Sequence, residues 1–367
     1  MPSEQASGVR QPGAGLHSPG SGGQSPGAGD TGNPTVVTLG EHALVARIRQ
    51  RLGPAPDWLI VDVGDDAAVY EPARNRLEVI TTDAIVDGVH FDRRFVPAEA
   101  IGHRAVAVNL SDLAAMGATP RLLTLSLALP DDVSLDDFDR LVDGAIGLAE
   151  RAGARVVGGN ITRTPGPLVV DVTAIGSVHR RRILRRSGAR AGDYVFVSGT
   201  LGDARAGLAL LADPGGADGD TWPEVVARYL QPEPRLRLGQ ALGQSRAATA
   251  AVDLSDGLAD GLARLATDHG LGCEIDAPTL PISESAGAVW KARGADAVVE
   301  AVAGGDDYEL AFTVRPKEAR RLKAVVRACD GLRITRIGVV TRDAGCWLVD
   351  AERRPTPIGP GYEHFSR

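Results

Sequence analysis

Short acidic segments recur along this chain, most of them where an apolar run of strand or helix length ends. They occupy residues 64–68 (GDDAA), 81–83 (TTD), 109–112 (NLSD), 253–257 (DLSDG) and 304–310 (GGDDYEL). Carboxylates placed in this way can converge at the edge of a sheet, and hard cations prefer such oxygen ligands. The pattern therefore indicates a site where several cations are held against a polyphosphate.

The chain offers no lysine to a phosphate-binding loop. Its only lysines are Lys291, Lys317 and Lys323, and none stands in a Gly-Lys-Ser/Thr sequence. A P-loop is therefore excluded. A nucleotide bound by this chain would be held through magnesium and backbone groups.

Length, charge and cysteine content limit the class of protein. A chain of 367 residues with 43% hydrophobic content is long enough for two packed domains. The net charge of −7 argues against nucleic acid or an anionic membrane as the main partner. No apolar run approaches the roughly 20 residues of a membrane span. Cys273, Cys329 and Cys346 lack metal-ligand spacing, so a reduced, cytoplasmic location is expected.

Composition and periodicity divide the chain into three parts. Residues 1–36 are rich in Gly, Ser and Pro and are predicted to be disordered, with an interaction tail as the alternative. A basic, turn-rich joint near residues 180–193 separates a predicted N-terminal domain, 37–182, from a C-terminal domain, 183–367. Both mix strands and helices without strict βαβ alternation, which favours a mixed α/β (α+β) class.

The segments around the first three acidic signatures are predicted as follows. A helix with Leu44, Ile48 and Leu52 on one face comes first. Strands at 58–63 and 77–82 each end in an acidic signature. Pro97 opens a helix that Gly117 ends. Further elements are a strand at 122–129, a helix at 135–152, and strands at 155–157 and 168–178.

Several acidic residues have a structural interpretation as well as a functional one. Asp66 follows a strand, where aspartate also stabilises ordinary turns. Thr81, Thr82 and Asp83 end the next strand and suit hard cations. Asp112 lies in an apolar helix, where an unpaired carboxylate is costly.

Further candidates follow later in the chain. Asp253 and Asp256 frame Ser255, and Ser255 or Asp256 also suits the N-cap of a helix starting at Leu258, where phosphate can bind. The segment 158–163 (GGNITR) places glycines where backbone amides could approach a nucleotide. Arg186 could neutralise phosphate, although it stands in an arginine run.

Taken in order, these segments resemble the thiamine-monophosphate kinase family, of the superfamily that includes aminoimidazole ribonucleotide synthetase. Residues 109–118 (NLSDLAAMGA) and 253–258 (DLSDGL) carry most of the resemblance, and the ending 361–365 (GYEHF) is similar too. The resemblance extends from about residue 39 to the end. It implies a two-domain PurM-like fold, with an N-terminal α/β domain that forms a homodimer interface and a C-terminal α+β domain that closes the cleft.

The resemblance also implies an activity, the ATP-dependent phosphorylation of thiamine monophosphate to thiamine diphosphate. The substrate phosphate would attack the γ-phosphoryl group directly, with several Mg²⁺ ions and without a general base or a phospho-enzyme. The implied magnesium positions are Asp66, Thr81, Thr82, Asp83, Asp112, Asn160, Asp253 and Asp256. The implied nucleotide contacts are Gly159, Asn160, Arg186 and Ser255, and the implied substrate contacts are His90, Asp306 and Tyr362.

Two positions depart from the family. Asn160 stands where Asp is usual and offers a neutral oxygen, and Asp306 stands where Glu is usual and has a shorter reach. The alternatives are a non-catalytic protein that binds thiamine phosphate or ATP, and another ATP-using enzyme of the superfamily. A selenophosphate synthetase is disfavoured because the glycine-rich N-terminal segment has no Cys.

Overall fold

The computed structural model describes residues 34–213, 221–359 and 361. The greater part of the predicted tail, residues 1–33, lies outside the described residues, and so does the predicted substrate contact Tyr362. The disorder predicted for 1–33 stays a prediction.

The ordered chain begins earlier than the predicted residue 37. Thr35 forms an isolated β-bridge with Ser134, and the Val36 side chain is only 6% exposed. The Val36 N–H donates to the Val133 carbonyl over 3.0 Å. A short apolar segment after residue 33 therefore packs against the first half of the chain, while the predicted domain boundaries stay a prediction.

The first half of the described chain builds a four-stranded sheet in the order β3-β6-β4-β5. Its pairs are antiparallel except β4 with β5, which is parallel. Alternate residues of β6 are buried, so one face of the sheet packs on helices and the other does not. The strands and helices of this half are α1 (Val36–Leu39), α2 (Glu41–Arg51), β1 (Leu59–Val61), β2 (Val69–Tyr70), β3 (Leu77–Val86), α3 (Ala98–Ala115), β4 (Thr119–Leu129), α4 (Leu135–Arg151), β5 (Arg155–Arg163) and β6 (Val169–Val178).

Helices α3 and α4 pack on the inner face of this sheet and touch each other backbone to backbone. A Cβ added to Gly102 of α3 would lie 1.8 Å from the Leu141 carbonyl oxygen. One added to Gly144 of α4 would lie 2.0 Å from the Glu99 carbonyl oxygen. Only glycine permits this approach, so these two positions fix how the helices cross.

Apolar side chains contact solvent on the outer face of this sheet and on a separate two-stranded sheet, β1–β2. Ile80 of β3 is 70% exposed, and Ile60 and Val69 of the β1–β2 pair are 59% and 50% exposed. Large apolar side chains left exposed in this way are often found at protein interfaces. We call Ile60, Val69 and Ile80 the outer patch.

The second half builds a seven-stranded sheet in the order β13-β12-β9-β11-β7-β10-β8. Only the β12–β9 pair is parallel. All five residues of β10 are buried because helices cover both faces of the sheet there. Its elements are β7 (Tyr194–Ser198), α5 (Asp203–Leu211), α6 (Pro223–Leu230), α7 (Leu236–Ser245), β8 (Ala248–Asp253), α8 (Leu258–Leu265), β9 (Gly272–Asp276), α9 (Glu284–Ala292), α10 (Ala297–Ala303), β10 (Leu310–Val314), α11 (Ala319–Ala328), β11 (Ile334–Thr341), β12 (Gly345–Val349) and β13 (Pro355–Pro357).

Helix α3 belongs to both halves. Most of its side chains are buried: some pack on the first sheet, while Ala114 and Ala115 join a core with Leu242 and Phe312 of the second half. A Cβ on Gly239 of α7 would lie 1.9 Å from the Ala114 carbonyl oxygen. The mixed α/β class is confirmed. In the described ranges no helix has the length and apolar character that a membrane crossing requires.

Candidate functional site

Three of the predicted aspartates meet where α3 passes between the two sheets. Asp83 lies on the inner side of β3, Asp112 lies near the end of α3, and Asp253 ends β8. The Thr81 hydroxyl, on the same side of β3 as Asp83, donates to Asp112. The sequence thus brings together carboxylates that are 170 residues apart in the chain, as the strand-end pattern predicted.

The charges of this cluster disturb one another. Burial, and then the nearby charge of Asp112, raises the pKa of Asp83 to about 7. Burial, again followed by Asp112, raises the pKa of Asp253 to about 6, against the opposing effects of Ser111 and Arg186. The Ser111 hydroxyl donates to Asp253 Oδ2 over 2.9 Å. Asp83 and Asp253 are thus held where the ionised form is unfavourable without a neighbouring positive charge.

The cluster fits magnesium by its chemistry but does not form a finished ligand shell. Carboxylate and hydroxyl oxygens are the ligands that this ion prefers, and the raised pKa values indicate a deficit of positive charge. Among the residues with described positions, no three His, Cys, Asp or Glu side chains are grouped closely enough to hold an ion. Binding would therefore draw the carboxylates closer together and use further ligands such as water or phosphate.

Asp66 lies apart from these contacts in an exposed turn between β1 and β2. Its backbone N–H donates to Asp65 Oδ1 over 2.9 Å, so the side chain that stabilises this turn is that of Asp65. No described contact joins Asp66 to Asp83, Asp112 or Asp253.

Thr82 and Asn160 lie on the outer face of the first sheet, opposite to the face that carries Asp83. Thr82 exchanges a 3.1 Å hydrogen bond with Thr173 across the β3–β6 pair. Asn160 of β5 is in register with Ser126 of β4, and Ser126 is in register with Asp171 of β6. Residues in register share a face, so Asn160 and Asp171 belong to one polar row across the sheet.

Gly159 and Arg186 differ in how tightly they are held. A Cβ on Gly159 would lie 1.8 Å from the Leu125 carbonyl oxygen, so β5 approaches β4 too closely for any side chain there. Arg186 is exposed, and its charge lowers the pKa of the nearby Asp253. Arg186 is therefore near the acidic cluster, and a long exposed side chain there can reach an anion.

The signature at 253–257 packs against the loop that follows α10. The Ser255 carbonyl accepts from the Asp306 N–H over 2.8 Å. A Cβ on Gly257 would lie 2.6 Å from the Gly304 carbonyl oxygen, so the two loops are in contact. The N-cap of α8 is Gly257, without a side-chain cap bond, so the predicted capping role of Ser255 or Asp256 is wrong. Asp256 instead lies 3.9 Å from Arg264.

The predicted substrate contacts His90 and Asp306 are joined through two residues that were not predicted. The Tyr229 hydroxyl donates to the His90 carbonyl over 3.4 Å, and its ring lies 4.2 Å under the Arg104 guanidinium. Arg104 in turn donates to Asp306 Oδ1 over 3.1 Å. The third predicted contact, Tyr362, is outside the described residues, although Gly361 packs near Asp260 of α8.

Sequence reasoning therefore missed Arg104, Ser111 and Asp171. The signal for Arg104 was available, because it is an ionisable residue in the same apolar helix that made Asp112 notable. Asp171 alternates with apolar residues on β6 and has the pattern of any solvent-facing strand position. Only the strand register shows that it shares a row with Asn160, with Ser126 of β4 between them.

Family models match both halves of the chain. Residues 64–178 match the AIR synthase related protein N-terminal domain, and residues 190–349 match the AIR synthase related protein C-terminal domain. Together they cover more than half of the chain.

Individual proteins match over nearly the full described length. The thiamine-monophosphate kinase of Escherichia coli strain K12 is 38% identical over 333 residues, which are 89% of this chain and 98% of that protein. The crystal structure of thiamine-monophosphate kinase from Stenotrophomonas maltophilia K279a is 39% identical, with a TM-score of 0.72, over 83% of this chain and 94% of that chain. The structure of AaThiL complexed with AMPPCP and TMP is 32% identical, with a TM-score of 0.69, over 90% and 98%.

Proposed function

The chain belongs to the AIR synthase related proteins and, among them, to the thiamine-monophosphate kinases, and on that premise we propose that it phosphorylates thiamine monophosphate to thiamine diphosphate with ATP. The observation that carries the proposal is the acidic cluster of Asp83, Asp112 and Asp253, which both family-model regions supply. The solved relative with AMPPCP and TMP supports the same pair of substrates.

Phosphoryl transfer between two phosphates requires compensation of charge more than acid–base chemistry. Both reactants are anionic, so their approach is opposed by repulsion. The attacking oxygen is already an anion, which is why no general base is needed. The chain's own contribution is to align the reactants for direct, in-line transfer.

Magnesium would be held by Asp83, Asp112 and Asp253, with Thr81 and Asp256 near them. When bound there, magnesium ions neutralise the phosphates and orient the γ-phosphoryl group. Arg186 and Ser255, next to the cluster, would contact the nucleotide, and His90 and Asp306 the thiamine phosphate.

Four of the implied magnesium and nucleotide contacts lie away from the acidic cluster: Asp66, Thr82, Gly159 and Asn160. We propose that they reach the ligands after a conformational change or act together with a second subunit. Thr82 and Asn160 lie on the same sheet face as Ile80, and we propose this face, together with the rest of the outer patch, as the homodimer interface. A dimer would place these residues beside a partner surface instead of solvent. We propose a cytoplasmic location, in keeping with three cysteines that form no disulfide.

The decisive experiment is a product assay. Purified protein with ATP, Mg²⁺ and thiamine monophosphate should yield thiamine diphosphate and ADP in equal amounts, while free thiamine and an aminoimidazole precursor should not be phosphorylated. Asp112→Asn should lower kcat by about 100-fold or more, because one charge of the cluster is lost. Asp143→Asn, an exposed aspartate of α4 paired with Arg51 over 2.7 Å, is the matched control and should retain activity.

Two outcomes would contradict the proposal. Absence of both products across a wide magnesium range would remove the enzymatic assignment. A large gain from near-zero turnover in Asn160→Asp would support the alternative of a binding protein inactivated at that position.

A further inference from the structure

We propose that Arg104 is a positioning residue which, together with Tyr308, locks the Asp306 carboxylate so that a single oxygen is presented to the substrate. This inference rests on the proposed function, in which Asp306 contacts thiamine monophosphate. It adds two residues whose side chains both donate to the Asp306 carboxylate.

Arg104 is a buried cation whose side chain contacts Tyr229 and Asp306. Its side chain is 1% exposed. One terminal nitrogen donates to the Tyr229 carbonyl, the other donates to Asp306 Oδ1, and the guanidinium plane covers the Tyr229 ring. Its Nε is buried without an acceptor in the described part of the chain. A buried guanidinium with an unsatisfied donor destabilises the folded protein. Stability alone therefore does not explain an arginine at this position.

Asp306 receives both of its side-chain hydrogen bonds on the same oxygen. Arg104 donates to Oδ1 over 3.1 Å, and the Tyr308 hydroxyl donates to Oδ1 over 3.0 Å. No hydrogen bond to Oδ2 occurs among the residues whose positions are described. The Asp306 side chain is 30% exposed, so the carboxylate that is held through Oδ1 remains accessible in part.

The backbone of this loop is held in a conformation that side chains rarely adopt. Asp306 has φ of 68° and Tyr308 has φ of 49°, both in the left-handed region. Aspartate tolerates this region, but an aromatic residue is rare there. A Cβ on Gly305 would lie 2.4 Å from the Ser255 carbonyl oxygen, so the loop is also pressed against the 253–257 signature. Strain of this kind persists where the surroundings fix the loop, and it is concentrated at functional sites.

The same cluster joins the two halves of the molecule. Arg104 comes from α3 of the first half, whereas Tyr229, Asp306 and Tyr308 belong to the second. Tyr229 also donates to the His90 carbonyl, so the two described substrate contacts share one support. A carboxylate oxygen presented in this way suits a hydrogen-bond donor or a positive charge. The aminopyrimidine and thiazolium rings of thiamine monophosphate supply both, whereas ATP has hydrogen-bond donors on its adenine and ribose but no positive charge.

Four variants test the proposal through separate KM values for the two substrates. Arg104→Met removes the cation, Tyr308→Phe removes only the hydroxyl, Arg104→Lys keeps the charge, and Asp306→Asn alters the carboxylate itself. We expect Arg104→Met to raise the KM for thiamine monophosphate by about tenfold, with the KM for ATP unchanged. Tyr308→Phe should raise it by about threefold, and Arg104→Lys should restore part of the loss.

A double variant distinguishes positioning from general support. If Arg104 acts through Asp306, then Arg104→Met combined with Asp306→Asn should have the same KM for thiamine monophosphate as Asp306→Asn alone. The control is Arg336→Met, which removes a guanidinium 3.5 Å over the Tyr194 ring in the second sheet and should leave both KM values unchanged.

Different results would reject the proposed function and the positioning role of Arg104. A wild-type protein that makes no thiamine diphosphate would reject the proposed function itself. An active wild type whose KM for thiamine monophosphate is unmoved by Arg104→Met and Tyr308→Phe would overturn the positioning role. Equal rises in both KM values, or additive losses in the double variant, would also overturn it. Tyr308→Phe loses one hydroxyl only, so it keeps the test open if Arg104→Met does not fold.

Discussion

At the scale of residues, the acidic cluster destabilises the folded protein when its carboxylates are ionised. Burial is the largest cause of the raised pKa values of Asp83 and Asp253, and the charge of Asp112 is the second. The surroundings therefore oppose the ionisation of both groups. Groups arranged for folding alone would be paired or would face water. Their placement is understandable if the unfavourable charge is used to attract a cation.

The sign of the pH dependence follows from these shifts. The folded state keeps protons on Asp83 and Asp253 that the unfolded chain has released above about pH 4. Their contribution to stability is therefore full below pH 4 and is lost as pH rises through about 6 to 7. Asp112→Asn removes one repulsive charge and should reduce this loss.

We accordingly predict that magnesium-free Asp112→Asn gains stability over the wild type as pH rises from 5 to 8. The gain should be at most about 1 kcal/mol, because solvent screens the partly exposed Asp83. Thermal melts of both proteins with EDTA at several pH values measure it. A constant difference across the range would show that Asp112 does not affect these titrations.

Residue-level prediction from the sequence succeeded where one residue type contradicted its surroundings. Asp112 was identified because it interrupts an apolar helix, and the structure brings it to Asp83 and Asp253. The roles of Thr82 and Asn160 could not be read in this way. Strand alternation assigns a face only when the register is known, and a single residue of shift exchanges the two faces.

At the scale of elements, the crossing of α3 and α4 depends on small residues at defined positions. Gly102 and Gly144 each face a carbonyl of the other helix at a distance that excludes a Cβ. Gly147, three residues further along α4, has no atom nearer than 3.9 Å to its would-be Cβ. The same helix therefore contains a glycine required by packing and one that packing does not require.

This pair gives a prediction with its own control. Gly144→Ala should lower the free energy of unfolding by about 2 kcal/mol or more, because the helices must separate to admit a methyl group. Gly147→Ala should raise it by about 0.5–1 kcal/mol through helix propensity. Urea unfolding of both variants provides the comparison. Equal effects would mean that the helix contact is not as close as the structure indicates.

The sequence predicted the limits of some helices and strands well and those of others only in part. The helix opened by Pro97 and ended before Gly117 was recognisable from its flanking residues, and α3 has nearly those limits. The strand expected at 155–157 continues instead to Arg163. Paired glycines usually indicate a turn. Here Gly159 instead continues β5, because the absence of a side chain lets the strand pack closely against β4. The order of the seven-stranded sheet rests on contacts distant in sequence, which local pattern does not encode.

At the scale of the whole molecule, the outer patch is an apolar surface that a second copy of the chain could cover. Ile80 is exposed on the face of the first sheet that also carries Thr82 and Asn160, and Ile60 and Val69 are exposed on the separate β1–β2 pair. Pairing of two copies through this face would remove apolar area from water and bring the polar row beside a second subunit. The homodimer implied by the family resemblance is consistent with this arrangement.

We predict that Ile80→Lys converts the protein from dimer to monomer. A lysine at the centre of an apolar interface would be buried without a partner charge. Light scattering coupled to size exclusion should give the mass of one chain for this variant and of two for the wild type. Val326→Lys, at a 43% exposed position on α11, is the control and should stay dimeric. A monomeric wild type would reject the interface.

The shared position of α3 has a consequence for exchange with heavy water. This helix has almost no surface of its own, since one sheet, α4 and the second half of the chain enclose it. Its central amides can meet solvent only when both cores open together. Deuterium uptake along α3 should therefore be the slowest in the molecule, and its rate should report global unfolding instead of local fluctuation. The backbone amides around Arg104 and Asp112 would then exchange more slowly than those of any other part of the candidate site.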